Sequence, residues 1–242
     1  MDYANLAQHW GPLTVPLQRA LEHLDRPARR LRLLAIGAHL DDVEIACGGT
    51  LAMGIAHGHE VTVLVMSDSS YDNYDGTVRR TEEAAREEGL AAAEKLGVRL
   101  EILHFPTKDI PHDSRVVEAI EERLNEWQPD VIFTHWPFDT HQAHRNTALS
   151  TFSAGRYFTS ILMYEPMMPA ARSYMAFRPQ IYVDVSDYLG QKVEALKAHE
   201  TEYKKYGDAW IGAIESRCRL RGFEVGVEYA EAFEVVRLAW DI

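Results

Sequence analysis

Two short clusters of ionisable side chains carry the chemistry that this sequence suggests. The first lies in GAHLDDVEIACGG, residues 37–49, where His39, Asp41 and Asp42 follow an apolar run of strand length. His39 and Asp42 are three residues apart, so at the start of a helix both side chains point to one side while Asp41 points elsewhere. This spacing predicts two metal ligands and a separate carboxylate that is free for proton transfer.

The second cluster is THWPFDTHQAHRNT, residues 134–147, which also follows an apolar strand-like run. His141 and His144 are again three residues apart near the start of a predicted helix. Taken alone, an Asp-Asp pair is more often a helix cap or a solvated turn, and a lone HxxH is more often incidental. The joint placement of the two clusters after two strands favours a site.

Together the clusters offer the ligands of a catalytic metal. Two imidazoles and one carboxylate, from His39, Asp42 and His144, supply the three protein ligands that a catalytic zinc site uses while it leaves a position for water. The metal lowers the pKa of that water, and a nearby carboxylate can take the proton. Cys47 and Cys218 lie far apart, so no thiolate site is encoded. We expect Zn²⁺, with Fe²⁺ or another divalent ion as the alternative.

The elements that position these clusters alternate along the chain. Apolar runs at residues 31–38 and 61–66 predict two strands that flank a helix ending at Gly58. Apolar residues at helical spacing predict helices over residues 78–96 and 116–127. An alternating run predicts a strand at residues 99–105, and an apolar run predicts another at residues 129–137. Further on, residues 159–165 and 179–186 read as strands, residues 188–206 as a helix, and the last 30 residues as mixed structure. A short helix is expected at residues 16–24.

This alternation predicts an α/β fold, a Rossmann-like and mainly parallel sheet with helices on both faces. Right-handed crossovers place the carboxyl ends of the strands at one edge, where open sheets bind ligands. We therefore expect the active site at that edge. A single domain is predicted over residues 1–242, with residues 1–30 as an N-terminal extension.

Composition limits the partners. The 242 residues include 25 Lys plus Arg against 37 Asp plus Glu, a formal net charge of −12. This balance disfavours a nucleic acid or an anionic membrane as partner. No apolar run approaches the roughly 18 residues that span a bilayer, and no secretory leader pattern is present, so a cytoplasmic location is expected. The sequence leaves a homo-oligomer open.

The motif AHLDDVEIACGGTL resembles the first motif of the LmbE-like family, also called the PIG-L family, of zinc-dependent sugar N-deacetylases. HQAHRNT matches the second family motif, HxDH, in part. The likeness continues through REEGLAAAEKLGV from Arg86 and RGFEVGVEYAEAFEVVR from Arg221, and it spans roughly residues 31–238. The resemblance implies a metal-dependent hydrolase that removes the acetyl group from an N-acetylated sugar or glycoconjugate, a small-molecule substrate such as an N-acetylglucosamine derivative.

The resemblance also implies roles for individual residues. His39, Asp42 and His144 would hold the zinc, and Asp41 would be the general base. His141 would stabilise the tetrahedral oxyanion and help to protonate the departing amine.

Two positions depart from the family pattern. Leu40 replaces the usual Pro, which is not a ligand. Ala143 replaces an Asp that in the family can hydrogen-bond to the catalytic His, and we expect Asp139 to substitute for it. Glu44 and Asp139 are both expected to contact the ligand side chains without binding the metal themselves.

Substrate contacts are predicted at Asp68, which follows the second strand, and at Arg86 in the family-like helix. A plain polar loop and a solvated helix residue are the respective alternatives. For His135, packing or support of the ligands is favoured over direct metal binding.

Other functions remain as alternatives. The family resemblance is compatible with hydrolysis of another amide, in a thiol or antibiotic conjugate, or with a non-catalytic metal-binding relative. A receiver-like signalling domain would need an Asp at the end of the third strand, where the sequence has His104. A phosphatase with an Asp nucleophile would need DxDxT instead of DDVEI.

Overall fold

The computed structural model describes residues 29–167, 173 and 175–239. A compact unit begins at Leu31. Most of the predicted N-terminal extension, with its helix at residues 16–24, lies outside the described residues. Within the described parts, no helix is long and apolar enough to cross a membrane.

Seven strands form the central sheet, in the order β5-β2-β1-β6-β7-β9-β8. Their bounds are β1 Arg32–Gly37, β2 Glu60–Ser67, β5 Arg99–Phe105, β6 Val131–Thr134, β7 Ile161–Tyr164, β8 Ile181–Asp184 and β9 Ala230–Arg237. The neighbouring pairs β5-β2, β2-β1, β1-β6 and β6-β7 are parallel. Strand β9 runs antiparallel to both of its neighbours, β7 and β8. A separate antiparallel hairpin consists of β3, Tyr71–Asp72, and β4, Val78–Arg80. The predicted α/β fold with a mainly parallel sheet is confirmed.

Seven described helices connect these strands: α1 Asp42–Ala56, α2 Glu82–Leu96, α3 Ser114–Trp127, α4 Gln142–Ala154, α5 Leu189–Ala198, α6 Glu200–Tyr206 and α7 Asp208–Val225. The alternation of side chains along β1 divides the core between two faces of the sheet. Leu33 and Ala35 pack with α1 and α2, whereas Leu34 and Ile36 pack with α3 and α4. Helices therefore cover both faces, as the sequence pattern predicts.

Two predicted helices need correction. The helix predicted over residues 78–96 begins only at Glu82, after the N-cap Thr81, whose side chain accepts a hydrogen bond from the Ala84 amide. The preceding residues form β4, because Asp75-Gly76 makes the turn of a hairpin. The helix predicted over residues 188–206 is two helices, α5 and α6, which are separated at His199.

A buried ion pair supports a kink in α1. At Cys47 the backbone leaves helical geometry, with φ −139° and ψ 19°. The Glu231 carboxylate of β9 accepts hydrogen bonds from the amides of Gly49 and Thr50, at 2.9 and 2.7 Å, and is paired with the Lys192 ammonium at 2.5 Å. Glu231 therefore caps the second half of α1, and the first turn is free to face the carboxyl edge of the sheet.

We expect Glu231→Gln to lower the free energy of unfolding by about 3–5 kcal/mol, because it leaves Lys192 charged and unpaired in the interior. Urea denaturation of the wild-type and variant proteins measures this loss. Glu200→Gln, which removes one partner of the exposed 2.7 Å pair with Lys204, is the control and should leave the midpoint unchanged. Equal effects of the two substitutions would contradict the stabilising role given to Glu231.

Candidate metal and catalytic site

The two sequence clusters meet at the carboxyl edge of the sheet, between β1 and β6. The chain passes from β1 to β2 on one side, while β6 pairs with β1 on the other, so this is a topological switch point. Open α/β sheets bind ligands at such points. The loop after β1 leads directly into α1, and the loop after β6 leads into α4. Residues about a hundred positions apart thereby become neighbours.

The side chains of His39, Asp42 and His144 converge. His39 Nδ1 lies 3.3 Å from His144 Nε2 and 3.4 Å from Asp42 Oδ2, and His144 Nε2 lies 3.2 Å from Asp42 Oδ1. Zinc bonds to nitrogen and oxygen are roughly 2.0–2.1 Å long, which separates tetrahedral ligand atoms by about 3.3 Å. These distances are compatible with a metal ion, although Asp42 contacts the two imidazoles through different oxygens. His39, His141 and His144 form a further group that lies close enough together to hold one.

The charges at this point also favour a cation. Burial alone would lower the pKa of His144, but the carboxylates of Asp42 and Asp139 raise it to about 10. Burial alone would raise the pKa of Asp42, but His144 and His135 hold it well below its ordinary range. The site thus stabilises positive charge where the three ligand atoms meet. A bound metal would displace the proton from His144 and supply that charge instead.

Asp139 forms hydrogen bonds with His144 and with the backbone of His141. Its Oδ2 accepts a hydrogen bond from His144 Nδ1 at 2.8 Å, and its Oδ1 accepts one from the His141 amide at 2.7 Å. The carboxylate therefore orients the ring of His144 and directs its other nitrogen towards Asp42. This corrects the expectation that Asp139 takes the place of the family carboxylate on the His141 ring. Ala143, at the family position, is buried in the apolar core with Ile36.

His135 contacts two of the proposed ligands, Asp42 and His144. Its Nε2 lies 3.1 Å from Asp42 Oδ2 and 3.0 Å from the Ala38 amide. Its ring stacks on that of His144, with centroids 4.2 Å apart. Burial lowers the pKa of His135 to about 4. Asp42, His135 and His144 also lie close enough to share a metal, although His135 is more deeply buried than His39.

Asp41 precedes α1 and has an unusual backbone. Its φ of 128° with ψ of −27° is a conformation that L-residues rarely adopt, and its carboxylate makes no capping bond to the helix. Such strain costs on the order of 1–3 kcal/mol and is concentrated at functional sites. Asp41 lines the cavity. Burial and the adjacent charge of Asp42 raise the pKa of Asp41 well above its ordinary value.

His141 is the N-terminal neighbour of α4 and lines the same cavity. Its ring stacks on His144 at 4.3 Å between centroids and meets the edge of His39 at 5.0 Å. Loss of water around the ring, together with the charges of His144 and His39, lowers the pKa of His141 to about 4. The neutral ring offers one N–H donor at the site.

The structure does not bring Asp68 and Arg86 to this cavity. Asp68 Oδ1 accepts hydrogen bonds from the hydroxyls of Ser70 in its own loop and of Thr107 in the loop after β5, and Thr107 lines the cavity. Arg86 is exposed on α2, on a different face from the buried Ala85. Neither residue lies among those that line the cavity. The substrate contacts of Asp68 and Arg86 stay predictions.

Arg80 is one of several cavity residues that the sequence patterns missed. It is 4% exposed, and its guanidinium contacts the Leu40 carbonyl at 3.3 Å, Glu88 at 2.8 Å and His199 Nδ1 at 3.3 Å. By holding the Leu40 carbonyl, Arg80 restrains the peptide that carries Asp41. The Asp-Gly pair within residues 71–80 is a hairpin signal. It could have shown that Arg80 belongs to a strand and not to the helix predicted over residues 78–96.

Glu44 belongs to the same buried group and not to the metal ligands. Its Oε1 lies 3.5 Å from His199 Nε2. A role of Glu44 in supporting the proposed ligands stays a prediction.

Comparisons with known proteins identify the family of this chain. The family model for PIG-L, described as GlcNAc-PI de-N-acetylase, matches residues 34–154, which include both halves of the site. The chain belongs to the PIG-L family. The resemblance seen in the sequence motifs is thereby confirmed.

Two PIG-L relatives and one solved structure illustrate the likeness. The diacetylchitobiose deacetylase of Thermococcus kodakarensis is 28% identical over 85% of this chain and 83% of its own. The uncharacterised deacetylase YaiS of Escherichia coli is 30% identical over 72% of this chain and 92% of its own. The crystal structure of an N,N′-diacetylchitobiose deacetylase from Pyrococcus horikoshii superimposes with a TM-score of 0.73, over 94% of this chain and 95% of that one, at 20% identity. That last likeness shows the fold.

We expect Asp139→Asn to weaken Zn²⁺ binding about 10–100-fold, because the ring of His144 loses the charge that orients it. Competition with a chromogenic chelator measures the affinity. Asp68→Asn changes a carboxylate at the same sheet edge but outside the cavity, and it should bind the ion as the wild type does. Unchanged affinity in Asp139→Asn would contradict the role given to the 2.8 Å contact.

Proposed function

We propose that this protein is a metal-dependent N-deacetylase of an N-acetylated sugar or glycoconjugate. The observation that carries the proposal is the placement of a strained carboxylate, Asp41, directly beside three side chains whose spacing fits a metal ion. The names of the two relatives support the choice of reaction. The proposed ligands are His39, Asp42 and His144.

The proposed donor atoms limit which metal ions can bind. Two imidazole nitrogens and one carboxylate suit Zn²⁺, and the same set also suits Fe²⁺. When bound, the ion would lower the pKa of a water molecule and polarise the acetyl carbonyl. We propose Zn²⁺ as the resident ion.

The proton transfers are assigned to Asp41. The Asp41 carboxylate takes a proton from the attacking water, and its raised pKa makes it a stronger base than an exposed carboxylate. As the C–N bond breaks, the Asp41 carboxyl delivers this proton to the nitrogen of the departing amine. The products are acetate and an amino sugar.

His141 has a different task in this scheme. A neutral ring donates its N–H to the oxygen on which negative charge develops when water adds to the carbonyl. The role requires a hydrogen-bond donor and no proton transfer from the ring. It is consistent with Ala143, since the carboxylate that would hold a charged imidazolium is absent from that position.

We expect the purified protein to release acetate from N-acetyl sugars, to lose this activity after treatment with a chelator, and to regain it when Zn²⁺ or Fe²⁺ is added. Mass spectrometry of a substrate panel would detect the loss of an acetyl group. Turnover that is indifferent to chelation would contradict the metal site. Acetate-free cleavage of a different amide would point to a related hydrolase.

For Asp41→Asn we expect kcat to fall at least about 100-fold, since the general base is lost. Metal content should remain stoichiometric because Asp41 is not a proposed ligand. Stability to urea should be equal or higher, because a strained and buried charge has been replaced by a neutral side chain of the same shape. Full activity in this variant would refute the proposed base.

A further inference from the structure

The cavity that contains the proposed metal ligands opens beside the start of α7. Its exposed lining residues mark this mouth: Tyr74, Tyr206, Ala209 and Ala213. The part of α7 that lines the cavity spans residues 209–213, whereas the helix continues to Val225. A molecule that covers the exposed side of α7 would therefore also border the mouth of the cavity.

The exposed side of α7 carries a regular stripe of small and apolar residues. Its members are all exposed and follow one another at intervals of four, three, four and three residues: Ala209, Ala213, Ser216, Leu220 and Phe223. On a helix of 3.6 residues per turn, these positions fall within a sector of about 80°. Alternating intervals of three and four are typical of a helix side that packs along another helix.

This stripe lies opposite the side of α7 that packs on the core. Ile211, Ile214 and Cys218 are buried, and they lie about half a turn away from the stripe. A surface helix needs one apolar side for packing within its own chain. Leu220 is nevertheless 54% exposed and Phe223 84% exposed on the second side. Large apolar side chains that are exposed together mark interaction surfaces.

The sizes of the side chains in the stripe change about its centre, Ser216. The half near the mouth carries Ala209 and Ala213, and the other half carries Leu220 and Phe223. When a second copy of α7 lies antiparallel with Ser216 against Ser216, Ala213 faces Leu220 of the other copy. Ala209 then faces Phe223 of the other copy. Small residues thus meet large ones along the whole stripe, and a two-fold axis makes each contact twice.

Charges beside the stripe fit the same arrangement. Glu215 and Arg219 lie one turn apart on the same flank of the stripe. In an antiparallel pair, equivalent flanks of the two helices adjoin, so Glu215 of each copy comes near Arg219 of the other. Arg219 contacts Glu228 of its own chain at 3.4 Å, in an exposed pair. Its guanidinium has five N–H donors and can therefore accept a second carboxylate.

We propose that the exposed stripe of α7 is a two-fold interface with a second copy of this chain, with antiparallel helices centred on Ser216. In this register, Phe223 of each copy lies beside Ala209 at the mouth of the other copy's cavity. The second copy thereby contributes an aromatic ring to the edge of the mouth. The interface does not depend on the reaction, so failure of the deacetylase proposal would leave it untouched.

The first test is the mass of the protein in solution, measured by analytical ultracentrifugation over about 1–100 μM, the range in which a micromolar complex forms. We expect a mass of two chains, or an even multiple, at the upper end. Phe223→Glu should raise the dissociation constant at least about tenfold, because it buries an unpaired charge in the interface. Tyr157→Glu replaces another ring, 81% exposed, and should associate as the wild type does.

Two outcomes of this measurement would overturn the proposal. A wild-type mass of one chain at every concentration would show that a different molecule covers the stripe. A wild-type assembly that Phe223→Glu leaves intact would show that the copies associate through another surface.

An introduced cysteine tests the antiparallel register. The native Cys47 and Cys218 are both buried. With diamide as the oxidant, Ser216→Cys should form a disulfide-linked dimer, because two-fold symmetry brings its Cα atoms within the roughly 4.4–6.8 Å that a disulfide spans. Glu118→Cys, at an exposed position of α3, should remain unlinked under the same conditions. Equal linkage of both variants, or none in Ser216→Cys, would contradict the register.

A mixture of two variants tests the position of Phe223 at the mouth. In Ala209→Cys alone, or in Phe223→Cys alone, the two thiols of a dimer lie about 21 Å apart along the helices, too far for a disulfide. We expect a disulfide only when the two proteins are mixed. Linkage within Phe223→Cys alone would indicate parallel helices and overturn the proposal. Its absence from the mixture would refute the contact between Phe223 and the mouth.

Discussion

The pairing of β1 with β6 is the interaction on which the site depends. Leu33, Leu34 and Ala35 pair in parallel with Val131, Ile132 and Phe133. Because the two strands run in the same direction, the loops that follow them leave the sheet at one edge. The register brings Ala38 next to His135, whose ring nitrogen lies 3.0 Å from the Ala38 amide. Backbone pairing thus brings the side chains of the two sequence clusters to within 3.1–3.4 Å of one another.

Electrostatics then determines what this arrangement can hold. Asp42 and Asp139 both contact His144, and His135 stacks on the same ring. In a buried site, these carboxylates are stable only with positive charge between them. A proton on His144 meets this need in the metal-free protein, and a divalent ion would meet it with three ligands. The negative charge around His144 therefore comes from Asp42 and Asp139, which belong to two different segments of the chain.

The strain at Asp41 is supported by packing elsewhere in the molecule. Arg80 holds the preceding carbonyl, and Glu88 in turn holds Arg80 through an ion pair of 2.8 Å. Glu88 also accepts hydrogen bonds from Thr201 at the start of α6. The same helix supplies Lys205 and Tyr206 to the mouth of the cavity. Through this series of contacts, Asp41 and the residues of α6 that line the cavity are stabilised by the same side chains.

Much of the fold could be predicted from local patterns, because a buried strand and a helix each leave a characteristic spacing of apolar residues. The runs that became β1, β2, β5 and β6 are examples. The turn at residues 38–41, which brings His39 next to Asp42 before α1 begins, could not be predicted from helical spacing. The hairpin was missed because β3 and β4 are only two and three residues long. The break at His199 was missed because the apolar spacing continues across it.

The sequence by itself determined the residue types and the spacing within each of the two clusters, because both follow directly from the order of residues along the chain. Only the tertiary structure decided that Asp139 contacts His144 and not the ring of His141, and that Arg80 lines the cavity where Arg86 does not. It also decided which side of α7 faces the cavity. These outcomes depend on packing between segments that are distant along the chain, and the spacing of residues within one segment contains no information about the direction from which another segment approaches.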